Sequence, residues 1–454
     1  MKIGIITLGC KVNQYESDCI ACELKNLGHQ VVSNLEVCDL YIVNTCAVTT
    51  IAERKSREYI AKFAKLNKDA KVIVCGCASE RDQAQFLKYA NVSAVIGTGG
   101  KNKIAKILDF VGNKKVEIEK EYESFDFAKT DSQNRAYLKI QDGCNNFCTY
   151  CLIPYVRGRS RSRNLDEVVC EAKLLSKTAK ELDITGINIS DFKVDDKLAL
   201  ADLMKELASV DARIRLGSIE VNIIDEKFLE ICKNMPNFCP HFHLSMQSGC
   251  DRILKLMNRH YTKQEFLDKV ELIRKYFPNV ALTTDVIVGF PTETDQDFAE
   301  TVDTIKKINY FAMHIFPYSP RQGTVASKMK LVDGNVVRER IKILEQINQE
   351  NKSKYIASNK NNVLNCLTES VEGDYVVGHT ENYIKIYLPK DTQKNVILQI
   401  TNLVEFKDGA RATIVNMWVE IVDNFVICDI IEQNLFQGGE NSERSQSWRN
   451  RKSW

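Results

Sequence analysis

Three closely spaced cysteines that follow a predicted strand constrain this chain more than any other feature. Cys144, Cys148 and Cys151 lie in one loop, which reads DGCNNFCTYCLIPYVRGRSRSR. The loop starts directly after the apolar run Ala136–Ile140. Thiolates at this spacing can hold three corners of a cubane iron–sulfur cluster. The next cysteine, Cys170, falls inside a predicted helix, so one iron would remain open for a cofactor or a substrate.

A zinc site or a redox-active pair is the alternative interpretation of these cysteines. Zinc prefers four ligands in paired CxxC or Cys/His sets, and no second pair lies nearby in the sequence. An aromatic residue precedes Cys148 and another precedes Cys151. This pattern, C-x3-C-x-aromatic-C, is the signature of radical S-adenosylmethionine enzymes, and the chain resembles that superfamily. The resemblance implies a 4Fe–4S cluster whose open iron binds S-adenosylmethionine.

The composition is typical of a globular protein, with 44% hydrophobic and 27% charged residues in a chain of 454. No apolar run reaches the roughly 18 residues that a membrane span needs. The apolar start between Met1 and Cys10 is too short, and too soon followed by polar residues, for a signal peptide. We therefore expect a cytoplasmic protein with no membrane partner. The net charge of +2 does not by itself indicate a nucleic-acid partner.

Alternating strand and helix patterns divide the chain into several predicted domains and indicate the α/β class. Residues 1–112 carry short apolar runs between helical stretches, which predicts a doubly wound parallel sheet. After a polar linker at 113–134, six strand–helix units at 135–360 predict a partial (β/α)6 barrel. Short runs rich in Val, Ile and Tyr predict a small β-barrel at 361–432. The polar tail at 433–454 is expected to be disordered.

Three more cysteines come from separate segments of the N-terminal domain, namely Cys10, Cys46 and Cys77. Each lies just beyond the carboxyl end of a predicted parallel strand, which is the edge where open α/β sheets place their ligand sites. Their thiolates could therefore hold a second cluster, although buried cysteines near strands are common for structural reasons. Cys75 is a rival for the third position, but it falls within the strand.

A series of motifs resembles the methylthiotransferase family over residues 1 to about 435. In order they read TLGCKVNQYES, VNTCAVT, VCGCASE, the cluster loop, HLSMQSGCDRILKLMNRHYT, TTDVIVGFPTETDQDF and IFPYSPRQGT. The resemblance implies that Cys10, Cys46 and Cys77 hold an auxiliary 4Fe–4S cluster. It favours Cys77 over Cys75, because the family motif places its cysteine before the Ala-Ser-Glu-like segment. It also implies that the C-terminal barrel is a TRAM domain.

The same resemblance implies that S-adenosylmethionine binds along the upper edge of the barrel. The matching positions lie at or near the ends of apolar strands: Thr185, Gly186, Ser218, Glu220, Gln247, Ser248 and Asp285. Family members use two molecules of S-adenosylmethionine, one to methylate sulfur at the auxiliary cluster and one to generate a radical. An electron donor such as a flavodoxin or a ferredoxin is implied as a partner. The chain departs from the family at Thr292, where glycine is usual.

Four arginines alternate along the loop beside the cluster, at Arg157, Arg159, Arg161 and Arg163. Guanidinium groups on a short loop suit phosphate contacts, which predicts binding to a tRNA anticodon stem-loop; a solvated basic loop is the alternative. The predicted C-terminal barrel, in contrast, carries five Lys or Arg against eleven Asp or Glu, a formal charge of −6. It should therefore not act as a purely electrostatic RNA clamp.

The family contains enzymes for isopentenyladenosine in tRNA, for threonylcarbamoyladenosine in tRNA and for an aspartate of a ribosomal protein. The opening LGCKVNQYES, together with NTCAVT, is most similar to the threonylcarbamoyladenosine branch. The resemblance thus implies conversion of N6-threonylcarbamoyladenosine at position 37 of tRNA to its 2-methylthio derivative. An iron–sulfur carrier or a redox-sensing RNA binder is the non-enzymatic alternative, but it would leave the six-unit barrel unexplained.

Overall fold

The computed structural model describes residues 1–33, 35–108, 125, 134–422 and 425–431. The strands are β1 (Lys2–Thr7), β2 (Gln30–Val32), β3 (Leu40–Thr45), β4 (Lys71–Gly76), β5 (Val92–Val95), β6 (Arg135–Asp142), β7 (Arg161–Ser162), β8 (Glu181–Gly186), β9 (Lys193–Val194), β10 (Lys197–Leu198), β11 (Arg213–Leu216), β12 (Ser218–Ile219), β13 (His241–Gln247), β14 (Ala281–Val288), β15 (Ala312–Pro317), β16 (Leu364–Glu372), β17 (Tyr375–Thr380), β18 (Lys385–Pro389), β19 (Ile397–Phe406), β20 (Gly409–Ile414), β21 (Asn416–Val422) and β22 (Phe425–Ile431). The α-helices are α1 (Lys11–Asn26), α2 (Thr50–Leu66), α3 (Cys77–Arg81), α4 (Ala84–Leu87), α5 (Ile153–Val156), α6 (Leu165–Leu175), α7 (Leu200–Leu207), α8 (Glu226–Asn234), α9 (Asp251–Leu256), α10 (Lys263–Tyr276), α11 (Asp295–Ile308) and α12 (Gly334–Ser358).

The N-terminal sheet is entirely parallel and has the strand order β2-β1-β3-β4-β5. Its central strand β3 is buried along its whole length, which explains why the first four residues of its sequence, LYIVNT, are all apolar. Apolar clusters cover both faces, with α1 on one side and α2 on the other. This arrangement confirms the predicted doubly wound sheet. Most of the predicted linker at 113–134 lies outside the described residues.

Six parallel strands form the predicted partial barrel. They fall into two hydrogen-bonded groups, β6, β8 and β11 in the first and β12 to β15 in the second, where β11 and β12 count as one strand interrupted at Gly217. The chain passes from one group to the other at Gly217, where a Cβ atom would lie 2.5 Å from the carbonyl oxygen of Ile184. The short strand β7 pairs antiparallel with the outer side of β6. The carboxyl ends of the six strands therefore meet at one rim, where the cluster loop begins.

One strand of the barrel begins earlier than its apolar pattern predicts. The sequence indicates a helix as far as Glu181 and a strand from Ile184, but α6 ends at Leu175 and β8 already begins at Glu181. The carboxylate of Glu181 is buried and lies 2.6 to 2.9 Å from nitrogens of three guanidinium groups, those of Arg135, Arg213 and Arg215. Because a charged residue at a buried position interrupts the apolar pattern, the start of such a strand cannot be predicted from apolar periodicity.

The C-terminal strands β16 to β20 form a closed barrel, as predicted, in the order β16-β17-β18-β20-β19. This barrel packs against the amino-terminal ends of the large barrel strands, opposite the cluster loop. Arg215 donates hydrogen bonds to the carbonyl oxygens of Thr380 and Glu381. The ring of Tyr383 stacks on His241, with 4.4 Å between the centroids. The predicted tail at 433–454 lies outside the described residues.

The long helix α12 connects the two barrels, packing against β15 at one end and β19 at the other. Its sequence alternates apolar with charged residues, and it stays half exposed along its length. Within the described ranges, none of the helices has both the length and the apolar character required to span a bilayer.

Candidate functional site

The first cysteine loop is folded tightly against the end of β6. Gly143 has a φ of +72°, and a Cβ atom there would lie 1.9 Å from the carbonyl oxygen of Arg159, so only glycine fits this close return of the chain. The backbone N–H of Cys144 donates to Gly158 at 3.2 Å. The N–H of Cys151 donates to the carbonyl oxygen of Cys148 at 2.9 Å. These bonds hold the three cysteines on one compact loop.

Each sulfur of this loop accepts a hydrogen bond from a nearby N–H group. The backbone N–H of Asn146 lies 3.5 Å from Cys144 Sγ, and that of Ile153 lies 3.4 Å from Cys151 Sγ. The guanidinium Nη1 of Arg259 lies 3.5 Å from Cys148 Sγ. Burial raises the pKa of Cys144 to about 11 and that of Cys151 to about 12. Thiols in such a set lose their protons when they bind metal, so three sulfurs with N–H donors fit a 4Fe–4S cluster with one open iron.

The second set of cysteines meets at the carboxyl edge of the N-terminal sheet. Cys10 follows β1 and precedes α1, Cys46 follows β3, and Cys77 begins α3 directly after β4. Gly9 has a φ of +102°, and a Cβ atom there would lie 2.7 Å from Cys46 Sγ. The absence of a side chain at Gly9 therefore lets the first and second segments approach each other. Among these cysteines, Cys10 is exposed while Cys46 and Cys77 are buried.

The electrostatic interactions separate Cys77 from its neighbour Cys75. Burial, reinforced by the thiols of Cys77 and Cys10, raises the pKa of Cys46 to about 12. Burial also raises the pKa of Cys77, and Arg157 opposes that shift. Cys75 instead packs into the apolar cluster beneath α1 and is fully buried. This arrangement brings Cys10, Cys46 and Cys77 to one edge of the sheet, whereas Cys75 lies in the core.

A cavity of about 570 Å³ lies between the two cysteine sets. Its walls are residues 47–51, which follow Cys46, residues 150–153, which include Cys151, and residues 316–321, which begin at the end of β15. Most of the wall is apolar, and three apolar side chains at this site are largely exposed, namely Val48, Ile51 and Phe316. A partly apolar ligand can therefore enter here, next to Cys151 and to the segment that follows Cys46.

A group of ion pairs closes one side of the cavity. The Nη2 atom of Arg321 lies 2.7 Å from Glu53 Oε1, and Arg81 Nη2 lies 2.9 Å from the same oxygen. The Nη1 atom of Arg321 also donates to Thr50 Oγ1 at 3.1 Å. Because Arg321 follows β15 and Glu53 belongs to α2, these contacts hold the N-terminal domain against the rim of the large barrel.

Three of the residues expected to bind S-adenosylmethionine face open space beside the cluster loop or the cavity. Glu220 accepts from Asn146 Nδ2 at 2.7 Å and pairs with Arg259 at 2.9 Å. Gln247 and Asp285 line the cavity itself. Although burial opposes the shift, hydrogen bonds from His243 and His314 hold the pKa of Asp285 below its usual range. The carboxylate of Asp285 is therefore ionised at neutral pH.

The other expected S-adenosylmethionine residues have different surroundings. Ser248 is buried, lies 3.3 Å from Thr301 Oγ1 and accepts from the N–H of Cys250, so its hydroxyl supports a turn of the backbone. Thr185 is buried at the end of β8, and Gly186 follows it beside Gln141, where a Cβ atom would lie 3.0 Å from the carbonyl oxygen. Ser218 is exposed at the start of β12.

The arginine loop does not present four free guanidinium groups, contrary to expectation. Arg157 is only 1% exposed and Arg163 only 3%. Arg157 pairs with Glu16 and Asp142, and Arg163 pairs with Glu171, so neither side chain offers a surface to a phosphate. Arg161 is partly buried and donates to backbone carbonyl oxygens of its own loop. Arg159 alone of the four is exposed, with its guanidinium 4.3 Å from the centre of the Phe147 ring.

Two exposed cations of the C-terminal barrel, Lys407 and Arg411, lie on one aromatic patch. Tyr375, Tyr387 and Phe406 lie 5.3 to 5.7 Å from one another. Lys407 lies over all three rings, and Arg411 lies over Tyr375 and Phe406. Both cations are exposed. This aromatic patch is a local basic surface on a barrel whose total charge is negative.

Sequence reasoning missed the side chains that join the two cysteine sets to the rest of the site. Arg259 and Glu53 belong to this group, as do His243 and His314, which bond to Asp285. Arg259 lies in the motif segment NRHYT, but nothing in that segment indicates a partner more than 100 residues away. A histidine inside a predicted barrel strand, such as His243 in HFHLSMQ, is the kind of signal that would have identified these residues.

Comparison with known proteins agrees with this geometry. Residues 138–305 match the Radical SAM superfamily, and residues 2–97 match a family described as uncharacterized protein family UPF0004. A solved structure of the radical S-adenosylmethionine methyltransferase TsrM from Kitasatospora setae has a TM-score of 0.54. It is 14% identical and covers 72% of this chain and 77% of its own, so the similarity concerns the fold.

Two curated relatives are similar over most of the chain. The threonylcarbamoyladenosine tRNA methylthiotransferase MtaB of Aquifex aeolicus is 38% identical over 398 residues, which are 85% of this chain and 96% of the relative. The tRNA-2-methylthio-N(6)-dimethylallyladenosine synthase of Alkaliphilus oremlandii is 35% identical over 367 residues, 77% of this chain and 78% of the relative. The residues matched to the Radical SAM superfamily include all three cysteines of the first set. This chain belongs to the tRNA methylthiotransferase family of radical S-adenosylmethionine enzymes.

Proposed function

We propose that this protein converts N6-threonylcarbamoyladenosine at position 37 of tRNA to its 2-methylthio derivative. The observation that carries this proposal is the cavity that is lined by Cys151 of the first set and by the residues that follow Cys46 of the second set. Residues 47–51 and residues 150–153 form facing walls of one space of about 570 Å³. A reaction that replaces a C–H bond by C–S–CH3 needs the carbon atom within reach of both a radical source and a sulfur source, and this cavity provides that place.

The residues of the chain hold and shield the reactants. Cys144, Cys148 and Cys151 would hold the cluster that binds S-adenosylmethionine, and Cys10, Cys46 and Cys77 would hold the auxiliary cluster. When bound, these groups would supply the radical and sulfur-transfer chemistry of the reaction. The apolar wall excludes water, and the exposed ring of Phe316 at its edge suits stacking against a purine base. Gln247 and Asp285 provide the polar groups of the same space.

Glu220, Asn146 and Arg259 form a network next to the first cluster loop. Arg259 donates toward Cys148 and pairs with Glu220, and Asn146 donates to the same carboxylate. We assign Glu220 to the binding of S-adenosylmethionine, because a hydrogen-bond acceptor just after a strand end suits the hydroxyl or ammonium groups of that cofactor. Thr185, Gly186 and Ser218 belong to the same rim of the barrel.

The tRNA partner is supported by two basic surfaces and by the names of the relatives. Arg159 is exposed beside the cluster loop, and Lys407 and Arg411 are exposed on the aromatic patch of the C-terminal barrel. Aromatic rings with interleaved cations are typical of nucleic-acid contacts. The C-terminal barrel then acts as a TRAM domain, through local contacts and not through its net charge. A flavodoxin or a ferredoxin in the cytoplasm supplies the electron.

The substrate is tested by mass spectrometry of tRNA nucleosides. A strain that lacks the gene should accumulate threonylcarbamoyladenosine and lose its 2-methylthio derivative, and the wild-type gene should restore the product. The Cys144→Ala variant should fail to restore it. Loss of 2-methylthio-isopentenyladenosine instead would transfer the assignment to the isopentenyl substrate. If the strain keeps all its 2-methylthio nucleosides in tRNA but loses the modification of the ribosomal-protein aspartate, the substrate would instead be the ribosomal protein.

The non-enzymatic alternative is tested separately. Reduced, reconstituted protein incubated with S-adenosylmethionine should form 5′-deoxyadenosine. A carrier or redox sensor of RNA would form none, even with its full content of iron.

A further inference from the structure

Arg157 connects the two cysteine sets directly. It follows α5 at the end of the first cysteine loop, and its backbone N–H donates to the carbonyl oxygen of Ile153 at 2.8 Å. Its side chain crosses into the N-terminal domain and is 1% exposed. There the Nε atom lies 3.3 Å from Cys77 Sγ. One residue of the radical-generating loop thus contacts a cysteine of the auxiliary set.

Every N–H group of this guanidinium has a partner. The Nη1 atom donates to Glu16 at 2.9 Å and to Asp142 at 3.1 Å. The Nη2 atom donates to Asn13 at 2.6 Å and to Glu16 at 3.2 Å. These bonds fix the plane of the guanidinium, because a planar fork with four occupied donors cannot rotate. The fifth donor, the Nε–H, is thereby directed at the sulfur of Cys77.

The partners of Arg157 are themselves tied to both cysteine loops. Asn13 and Glu16 belong to α1, which starts directly after Cys10. The other carboxylate, Asp142, ends β6 and accepts from the N–H of Gly143 at 2.8 Å, one residue before Cys144. A shift of the guanidinium would therefore disturb both loops together.

We propose that Arg157 is a positioning residue that tunes the auxiliary cluster through an N–H···S bond to Cys77 and fixes that cluster relative to the radical-generating loop. The inference rests on the proposed function, in which Cys77 is an iron ligand. A cationic N–H directed at a ligating sulfur stabilises the cluster more when the cluster carries an extra electron. The bond therefore raises the reduction potential of the auxiliary cluster. Arg259 has the corresponding place at Cys148 of the other cluster.

The test uses the full chain with Cys144, Cys148 and Cys151 changed to alanine, which should retain the auxiliary cluster alone. In this parent, Arg157→Lys keeps the positive charge but places a methylene group where the Nε–H stood. A potentiometric titration followed by electron paramagnetic resonance should give a more negative midpoint potential for Arg157→Lys than for the parent. Arg161→Lys, in the same loop but bonded to carbonyl oxygens, should leave the potential unchanged.

A second measurement detects the contact between Arg157 and the cluster in the parent protein, in which Arg157 is unchanged. The same parent protein is labelled with 15N-arginine, reduced and studied by pulsed electron paramagnetic resonance. We expect a weak 15N coupling to the cluster, which disappears in Arg157→Lys. A loaded, reduced cluster without any 15N coupling, or with an unchanged potential in Arg157→Lys, would overturn the inference. If Arg157→Lys loses its iron, the labelled parent decides the question.

The iron content of the parent distinguishes a failure of the proposed function from a failure of the inference about Arg157. A parent that holds no iron after reconstitution shows that Cys10, Cys46 and Cys77 are not a cluster site, which overturns the proposed function and the inference together. A parent that holds about four irons, but shows neither the potential shift nor the coupling, overturns only the role of Arg157.

Discussion

The Nη2 atom of Arg321 lies 2.7 Å from Oε1 of Glu53, across the boundary between the large barrel and the N-terminal domain. Both side chains are buried, at 4% exposure for each residue. Arg81 of the N-terminal domain reaches the same carboxylate oxygen at 2.9 Å. One carboxylate therefore compensates two cations at the wall of the cavity and keeps the two cysteine sets at a fixed separation.

Glu53→Gln should destabilise the protein and reduce methylthio product. The change leaves the buried guanidinium of Arg321 facing Arg81 without a compensating charge, at a cost of about 3 kcal/mol. Urea denaturation followed by circular dichroism measures the loss, and nucleoside analysis measures the product. Glu58→Gln is the matched control on the same helix, because Glu58 forms an exposed pair with Arg54. It should change stability by less than about 0.5 kcal/mol, and equal effects of the two variants would contradict this role of Glu53.

Iron content and product separate Cys77 from Cys75. We expect about eight irons per chain after anaerobic reconstitution, and about four when Cys144, Cys148 and Cys151 are all alanine. Cys77→Ala should also leave about four irons; it should abolish methylthio product but retain 5′-deoxyadenosine formation, because only the auxiliary cluster is lost. Cys75→Ala removes one sulfur from the core and should cost about 1 kcal/mol with full iron. The opposite result for the two variants would make Cys75 the ligand.

Stability should depend on pH through Glu181. Although burial favours the neutral acid, Arg215, Arg135 and Arg213 hold the pKa of Glu181 well below its ordinary value of 4.5. The ionised carboxylate therefore contributes its full stabilisation above about pH 4.5, and this contribution is lost as the pH falls toward the folded-state pKa. The unfolding free energy, measured from pH 7 to pH 4, should fall less steeply in Glu181→Gln than in the wild type. Glu226→Gln, at an exposed position, should retain the wild-type slope.

Thr292 stands where the family usually has glycine, and its φ of +68° explains that preference. A β-branched residue in the left-handed region is strained. Thr292→Gly should therefore raise the unfolding free energy by about 1 kcal/mol, since the relief of strain exceeds the added freedom of the unfolded chain. Thr294, two residues on, is the matched control because it caps α11 in a capping box with Asp297. Thr294→Ala should lower stability by about 1 kcal/mol, and a loss of stability in Thr292→Gly would contradict the strain.

The salt dependence of tRNA binding should distinguish exposed from buried arginines. Arg159→Gln should lower the slope of log K against log salt by about one, and the pair Lys407→Gln with Arg411→Gln by about two. Lys342→Gln serves as the control, because this exposed lysine lies on α12 and pairs with Glu339. Unchanged slopes in all variants, with iron intact, would place the RNA elsewhere on the protein.

Elements whose information is local could be predicted from the order of the amino acids. The spacing of Cys144, Cys148 and Cys151 depends on eight consecutive residues, and a loop of that length can wrap a cluster wherever the rest of the chain lies. Strand and helix alternation likewise follows from periods of two and 3.6 residues, so the doubly wound sheet, the partial barrel and the closed small barrel were predictable. The bounds of single elements were less predictable, and the start of β8 was misread because Glu181 interrupts the apolar pattern.

The partners of the loop arginines depend on the tertiary structure. For Arg157, the contacts with α1 join residues more than 100 positions apart in the chain. Four alternating arginines on one loop have the same sequence pattern whether they face RNA or carboxylates. Arg157 and Arg163 are removed from solvent by Glu16 and Glu171, and Glu16 lies 141 residues from Arg157. Burial of a charge requires an opposite charge at a specific point in space, and periodicity along the chain contains no information about that point. The packing of α1 against β6 places the carboxylate of Glu16 beside Arg157. This arginine, expected to contact RNA, therefore connects the two cysteine sets.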